Sequence, residues 1–437
     1  MAIDKSKTTF GYTYQEYKIF KKEAIKYLLI FSLLYCCLYC TRNNLSAVSA
    51  VLISDLNWTK ADLGIVTGIY FWTYGIGQLI NGRLSEIVGP KRFLFISSVA
   101  SIGLNLLFAY QRNLLPMAII WGINGYVQAM AWPAGMSMLA KWWPGNRRGF
   151  ATGFALAMSG LGQVITTLSV VIGLSLLPQM SWRSAFIIPT AFPFVMCVIF
   201  VLFCKPSPAH VGLNDYIEEN EKKAQKEEEH KKVLESKGSL YPYKVMLANK
   251  KFRVWIFVAF LQGLIRYGLV SWIPLYYVEK FGVDVTSGLL QSLALPMGMA
   301  IGTLVVPWLT DTYCPNNRIA AASISGIIAT ISVACFALLN PTITWQMIII
   351  ELLLFVAGFA IYAVTGCVWA FSTDIGGRLF SGTAAGILNF SQYMGAAIQA
   401  ILYGFLLDTF GWNLIFVTVC CFNIVISIIG MINRKKH

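Results

Sequence analysis

Apolar residues in this chain fall in continuous runs of about twenty, separated by short polar stretches, which is the pattern of membrane-crossing helices rather than of one-sided helices or alternating strands. From Tyr27 to Ile53 the only charge is Arg42. A helix rises about 1.5 Å per residue, so each run can cross a hydrocarbon core of about 30 Å. With charged, proline and glycine breaks as boundaries, six spans fall near 24–54, 62–87, 93–111, 114–142, 148–177 and 183–204. Six more fall near 253–281, 285–312, 318–340, 343–373, 379–408 and 412–433. The predicted fold is an all-α membrane protein of twelve transmembrane helices in two six-helix bundles. Residues 1–23 form an N-terminal segment, 24–204 and 252–437 the bundles, and 205–251 a solvated, charge-rich linker containing Glu227-Glu228-Glu229-His230-Lys231-Lys232.

The halves repeat each other. Arg42 and Arg266 are 224 residues apart, as are Gly64 and Gly288. The offset drifts to 225 for Glu86 and Asp311, 226 for Arg92 and Arg318, and 230 for Trp182 and Trp412. Small insertions after a duplication leave such a drift, and two pseudo-symmetric bundles with a site between them near the midplane are a transporter architecture.

Composition sharpens this. The chain of 437 residues is 57% hydrophobic and 12% charged, where soluble proteins run to about a quarter charged. The net charge of +14 comes from 34 Lys+Arg against 20 Asp+Glu. Its basic residues gather at the N-terminus, in alternate short loops, in the linker and at the end, as the positive-inside rule requires of a multi-pass protein of the cell membrane with both termini cytoplasmic. That placement argues against a nucleic-acid partner. The ten cysteines lie almost all in apolar runs and read as packing residues, with no metal site expected. No cofactor and no enzymatic chemistry are expected, since no partnered nucleophile, metal cluster or nucleotide loop occurs. The chain is expected to work as a monomer within the lipid bilayer.

The loop between spans 2 and 3 reads Gly82-Arg83-Leu84-Ser85-Glu86-Ile87-Val88-Gly89-Pro90-Lys91-Arg92. It resembles the signature loop of the major facilitator superfamily, departing at Ile87 where a basic residue is usual. The counterpart loop keeps Asp311 and Arg318. Glu86, Lys91, Arg92, Asp311 and Arg318 are therefore candidates for a charged latch that holds one conformation of the bundles.

Two charges stand inside the membrane. An arginine at mid-span costs roughly 2.5–3.5 kcal/mol on insertion scales. Arg42 lies about 27 Å into span 1 and Arg266 about 20 Å into span 7, both near mid-membrane in corresponding helices. Between Glu86 and Asp215 no Asp or Glu occurs, and at membrane depth elsewhere the chief acid is Glu351. One carboxylate cannot pair two arginines, and facing guanidiniums repel. An anion bound between them relieves both, and the planar fork of arginine suits a phosphoryl group.

Arg42-Asn43-Asn44, Ala131-Trp132-Pro133-Ala134-Gly135, Lys141-Trp142-Trp143, Leu264-Ile265-Arg266-Tyr267-Gly268 with Trp272-Ile273-Pro274, Gly382-Thr383-Ala384-Ala385-Gly386 and Phe410-Gly411-Trp412 resemble the organophosphate:phosphate antiporters. The resemblance spans essentially the whole chain. It implies that Arg42 and Arg266 hold phosphate and that inorganic phosphate is the exchanged partner. Three positions depart. Members that carry glycerol-3-phosphate and hexose phosphates have a lysine, a histidine and an aspartate where this chain has Gln78, Ser159 and Ser271. The ligand then remains a small oxyanion, with an organophosphate, a phosphonate or a sulfonate open.

Further pathway candidates are uncharged. Tyr39 precedes Arg42 by one turn, and Tyr74 and Gln78 share a face of span 2. Trp132 and Tyr362 match family positions near the cavity, with core packing as the competing role. Asn389 and Gln392 follow the glycine run of span 11 and either line the cavity or bond between helices. The leading expectation is a secondary transporter that takes up an organophosphate or similar oxyanion in exchange for phosphate by alternating access. The alternatives are a proton-coupled anion symporter using Glu351 and a ligand sensor signalling through the linker.

Overall fold

The computed structural model describes residues 10–214, 237–238, 241–313, 318–339 and 344–434. Among them, twelve helical segments are long and apolar enough to cross a bilayer. Spans 1 to 6 are Tyr14–Thr41, Lys60–Val88, Pro90–Ala109, Leu114–Trp142, Phe150–Leu176 and Pro178–Phe203. Spans 7 to 12 are Lys250–Phe281, Val285–Thr303, Ala321–Leu338, Trp345–Val368, Thr383–Phe410 and Trp412–Ile432. The count agrees with the apolar runs, while several ends and interiors differ for physical reasons.

Helix starts are set by caps. Span 1 begins at Tyr14, ten residues before the apolar run, because Thr13 and Glu16 form a capping box. Thr59 and Asp62 do the same for span 2. Interiors break at polar or proline positions. In span 1 the α-helix ends at Leu38, three residues wind as a 3-10 turn, and Arg42 stands at φ −123°, ψ −48° before helix resumes at Asn44. Span 4 breaks after Gln128 and restarts at Ala131, and span 8 restarts at Ala294, so Pro133 and Pro296 each sit in the first turn of a new piece. Pro274 is carried inside continuous helix.

Helical residues follow one another from Thr344 to Phe410, but the chain reverses between spans 10 and 11, in keeping with the connection expected near 374–378. The Ile361 carbonyl accepts from Gln262, and the Gln392 main chain packs on Gly263, whereas a straight helix would part these residues by about 46 Å.

The bundles meet along spans 2 and 11 and along spans 5 and 8. Gly64 and Gly68 of span 2 bring its backbone against Ala397, Ala400 and Ile401 of span 11, and Gly160 lies against Ala300. Polar bonds join the bundles at the face opposite the termini. There the Asp408 carboxylate accepts from the Lys60 and Ala61 backbone N–H groups at 3.2 and 2.9 Å, capping span 2 from the other bundle. Lys60 pairs with Glu279 at 2.9 Å, and Trp412 donates to the same carboxylate at 3.0 Å.

Candidate functional site

The break in span 1 turns Arg42 toward the interface between the bundles, and it is 6% exposed. Its Nη2 donates to the Tyr393 hydroxyl at 2.6 Å, a bond from span 1 to span 11. Its guanidinium carbon lies 4.2 Å from the Tyr74 ring centre, 5.1 Å from Tyr39 and 5.6 Å from Tyr393. Arg266, 9% exposed, is presented by unbroken helix. It lies 4.4 Å from the Tyr362 ring centre and 4.7 Å from Tyr267.

The rings join the two arginines into one site. Tyr267 donates to the Tyr393 hydroxyl at 3.1 Å, and the Tyr74 and Tyr393 rings are 4.2 Å apart. Gln163 of span 5 donates to the Tyr362 hydroxyl at 3.4 Å, a second link between bundles. Among the described residues, no ion pair involves either arginine; the pairs are Lys26 with Glu23, Lys60 with Glu279 and Arg83 with Glu86. Two buried cations are thus offset by ring faces and one hydroxyl, a partial compensation.

The other candidates divide. Ser159 is buried against the Tyr39 hydroxyl. Trp132 packs on Tyr35 at 5.0 Å, and Tyr35 meets Tyr39 edge-on, so Trp132 backs the site from one ring away. Gln78 turns sideways. Pro133 has no N–H to give the Ala129 carbonyl, and the Gln78 amide supplies a donor at 3.4 Å, so its side chain serves the break in span 4. Gln392 packs its main chain on Gly263 with its amide nitrogen buried and unpaired, while Asn389 is half-buried one turn before Tyr393.

Glu351 is half-buried beside Tyr277. Tyr277 lies eleven residues beyond Arg266, about 16 Å along span 7, which takes the carboxylate away from the guanidiniums. Of the latch residues, Glu86 pairs with Arg83 of its own helix at 2.9 Å, Lys91 donates to the Val201 carbonyl at 2.8 Å, and Arg92 is exposed. These bonds stay within one bundle. The side chains of Asp311 and Arg318 lie outside the described residues.

Three site members were not among the candidates: Tyr393, Tyr267 and Gln163. Tyr267 is adjacent to Arg266 in a motif already singled out, and Tyr393 follows Gln392. Gln163 is the one amide in span 5 and carried the only visible signal of the three that stands apart from the motifs.

A family model described as Major Facilitator Superfamily matches residues 31–400. A probable hexose phosphate transport protein of Chlamydia trachomatis is 25% identical over 396 residues, covering 88% of this chain and 85% of that one. A glycerol-3-phosphate transporter of Bacillus subtilis is 27% identical over 384 residues, covering 86% and 84%. A probable sulfoacetate transporter of Cupriavidus necator is 22% identical over 388 residues, covering 87% of each.

Proposed function

The chain belongs to the major facilitator superfamily, and from that membership we propose that it takes up a small organic oxyanion, foremost an organophosphate, in exchange for inorganic phosphate by alternating access. The observation that carries the reading is the pair of buried guanidiniums held among tyrosines with no carboxylate paired to either among the described residues. A bound dianion supplies the missing charge, and the Tyr39, Tyr267 and Tyr393 hydroxyls supply neutral donors. Empty, the arginines hinder closure of the bundles on each other. Loaded, they are neutralised, so reorientation is favoured with a passenger aboard, which is exchange.

The relatives named as hexose phosphate and glycerol-3-phosphate transporters support a phosphorylated passenger. Gln78, Ser159 and Ser271 remove three ionisable groups that the resemblance leads one to expect, and this weakens the demand for a doubly charged ligand. The relative named for sulfoacetate supports a sulfonate as the second reading. Proton coupling through Glu351 is disfavoured by its place beside Tyr277. The proposed setting is the cell membrane, with both termini cytoplasmic and the chain acting as a monomer.

Counterflow from phosphate-loaded proteoliposomes against phosphorylated, phosphonate and sulfonate compounds tests this. Uptake that depends on internal phosphate and selects one class is the expected result. Uptake indifferent to internal phosphate but driven by an imposed pH gradient would sink it.

A further inference from the structure

The break in span 1 that turns Arg42 into the site is held by a set of polar side chains from spans 3 and 4, and we propose that these, with the Thr41 hydroxyl as their hub, are positioning residues for anion binding. The inference rests on Arg42 holding the anion.

The break frees backbone groups. The Arg42 and Asn43 N–H groups both donate to the Tyr39 carbonyl, at 3.0 and 2.9 Å, so the Leu38 carbonyl loses the donor it would have in continuous helix. An unpaired carbonyl at membrane depth is costly. The Thr41 hydroxyl donates to Leu38 O at 3.0 Å, and the Gln128 amide reaches the same oxygen at 3.2 Å. Asn105 and Asn124 donate to the Thr41 carbonyl at 3.0 and 2.9 Å. Gln128 reaches Thr41 Oγ1 at 2.7 Å and Ser101 Oγ at 2.8 Å, and Ser101 in turn reaches Asn124 Oδ1 at 2.8 Å. Asn44, just past the break, donates to Asn105 Oδ1 at 2.9 Å and to the Ala185 carbonyl at 3.0 Å.

The protons distribute over the set: Thr41 gives its one to Leu38, Ser101 its one to Asn124, and Gln128 its two to Thr41 and Ser101 at the shorter distances, with the Leu38 carbonyl as a third, longer acceptor at 3.2 Å. All six side chains are buried, none more than 4% exposed. Ser101 with Asn105, and Asn124 with Gln128, are each four apart, so both spans present a polar stripe to the same break. Their bonds converge on residues 38–41 rather than simply joining spans 3 and 4 to each other. Span 7 has no equivalent. Helix continues through Arg266, and Gly263 and Gly268 admit the backbone of span 11 and the Tyr403 ring. The brace therefore belongs to the Arg42 side alone.

Without the hub, the break can rewind. Each residue added to regular helix rotates the side chains beyond it by about 100°, which takes the guanidinium off the Tyr39, Tyr74 and Tyr393 rings. Thr41→Val keeps the shape and removes the hydroxyl; Thr41→Ser keeps the hydroxyl. In proteoliposome phosphate exchange, Thr41→Val is expected to raise the half-saturating phosphate concentration about tenfold or more, with the maximal rate within about threefold, while Thr41→Ser stays near the parent. In an Arg42→Lys background the same change should add less than about twofold. An unchanged half-saturation, a Thr41→Ser variant as poor as Thr41→Val, or an equal penalty in the Arg42→Lys background overturns the proposal. Gln128→Leu, held to the same limits, replaces Thr41→Val if that protein does not assemble. Hydrogen–deuterium exchange of the purified, ligand-free protein provides a reading that needs no assumption about phosphate. Altered protection confined to residues 38–45 is expected in Thr41→Val, and unaltered protection there overturns the brace. A parent protein that exchanges no phosphate would sink the functional reading while leaving the exchange-protection result to judge the brace.

Discussion

Replacing Asp408 by alanine removes a helix cap that one bundle lends the other. The carboxylate accepts from the Lys60 and Ala61 N–H groups at the start of span 2, so its bonds exist only while the face opposite the termini is closed. Losing a side-chain cap costs about 1 kcal/mol, and an exposed carboxylate at a helix start adds a few tenths. Since about 1.4 kcal/mol is tenfold, the ratio of closed to open at that face should fall roughly five- to tenfold. Asp408→Asn keeps one acceptor and should fall between. Ser292, in the cavity between spans 1, 5, 7 and 8, supplies the reporter as Ser292→Cys in a background without other thiols. A membrane-impermeant maleimide added from the closed face should label it about five- to tenfold faster in Asp408→Ala, in proportion to the population shift. An unchanged rate, or an equal acceleration in Asp408→Glu, would refute the reasoning, because the cap requires the acceptor geometry and not merely a side chain at the position.

Arg42→Lys and Arg266→Lys keep the charge but lose the second prong of a bidentate contact, worth about 1.5–3 kcal/mol, so phosphate exchange should drop roughly ten- to a hundredfold in each, measured as initial uptake with the protein still monodisperse. The second ionisation of a phosphomonoester lies near about 6, and arginine does not titrate in the accessible range; exchange of such a substrate should therefore rise as pH climbs through about 6 and then level off. Proton symport would instead favour the acid side, so uptake that falls steadily from pH 5 to 8 would count against dianion binding. A side chain at Gly263 meets the Gln392 backbone within one bundle, whereas one at Gly64 meets Ala400 across the bundles. Gly263→Val should lower the melting temperature by several degrees or prevent assembly, while Gly64→Val should leave melting nearly unchanged and open the face that Asp408 closes.

The twelve spans and the two arginines were legible because each is a contrast: an apolar run against polar loops, and a lone charge against an apolar run. The tyrosines offered no contrast. Tyr393 and Tyr267 are two of 20 tyrosines in the chain, and only the crossing of spans 1, 7 and 11 selects them. The break at Arg42 was also invisible, because Tyr39 to Asn44 contains neither proline nor glycine; its support comes from Ser101, Asn105, Asn124 and Gln128, about sixty to ninety residues away in sequence. Gln78 was misplaced for a related reason. Helical spacing with Tyr74 puts it on the right stripe, but the carbonyl freed by Pro133 on a neighbouring span draws its amide aside. The same limit governs Glu351, a charge plain in the sequence whose distance from the arginines depends on how spans 7 and 10 pack.

A carboxylate beside each arginine would have been the simpler way to bury these charges, and its absence among the described residues has a chemical consequence. Removing an ion from water costs several kcal/mol after relaxation. A ring face returns about 0.5–2 kcal/mol, so the Tyr74, Tyr39, Tyr362 and Tyr267 contacts offset part of that and leave a deficit. A permanent carboxylate would close the deficit and force an incoming anion to displace an equal charge. Tyrosine hydroxyls do neither: the Tyr393 oxygen accepts from Arg42 when no ligand competes, and a hydroxyl can turn its proton toward an anion that does. The arrangement thus holds the arginines folded but unsatisfied, and on the proposed reading the sign of the charge left over makes the ligand that satisfies them an anion.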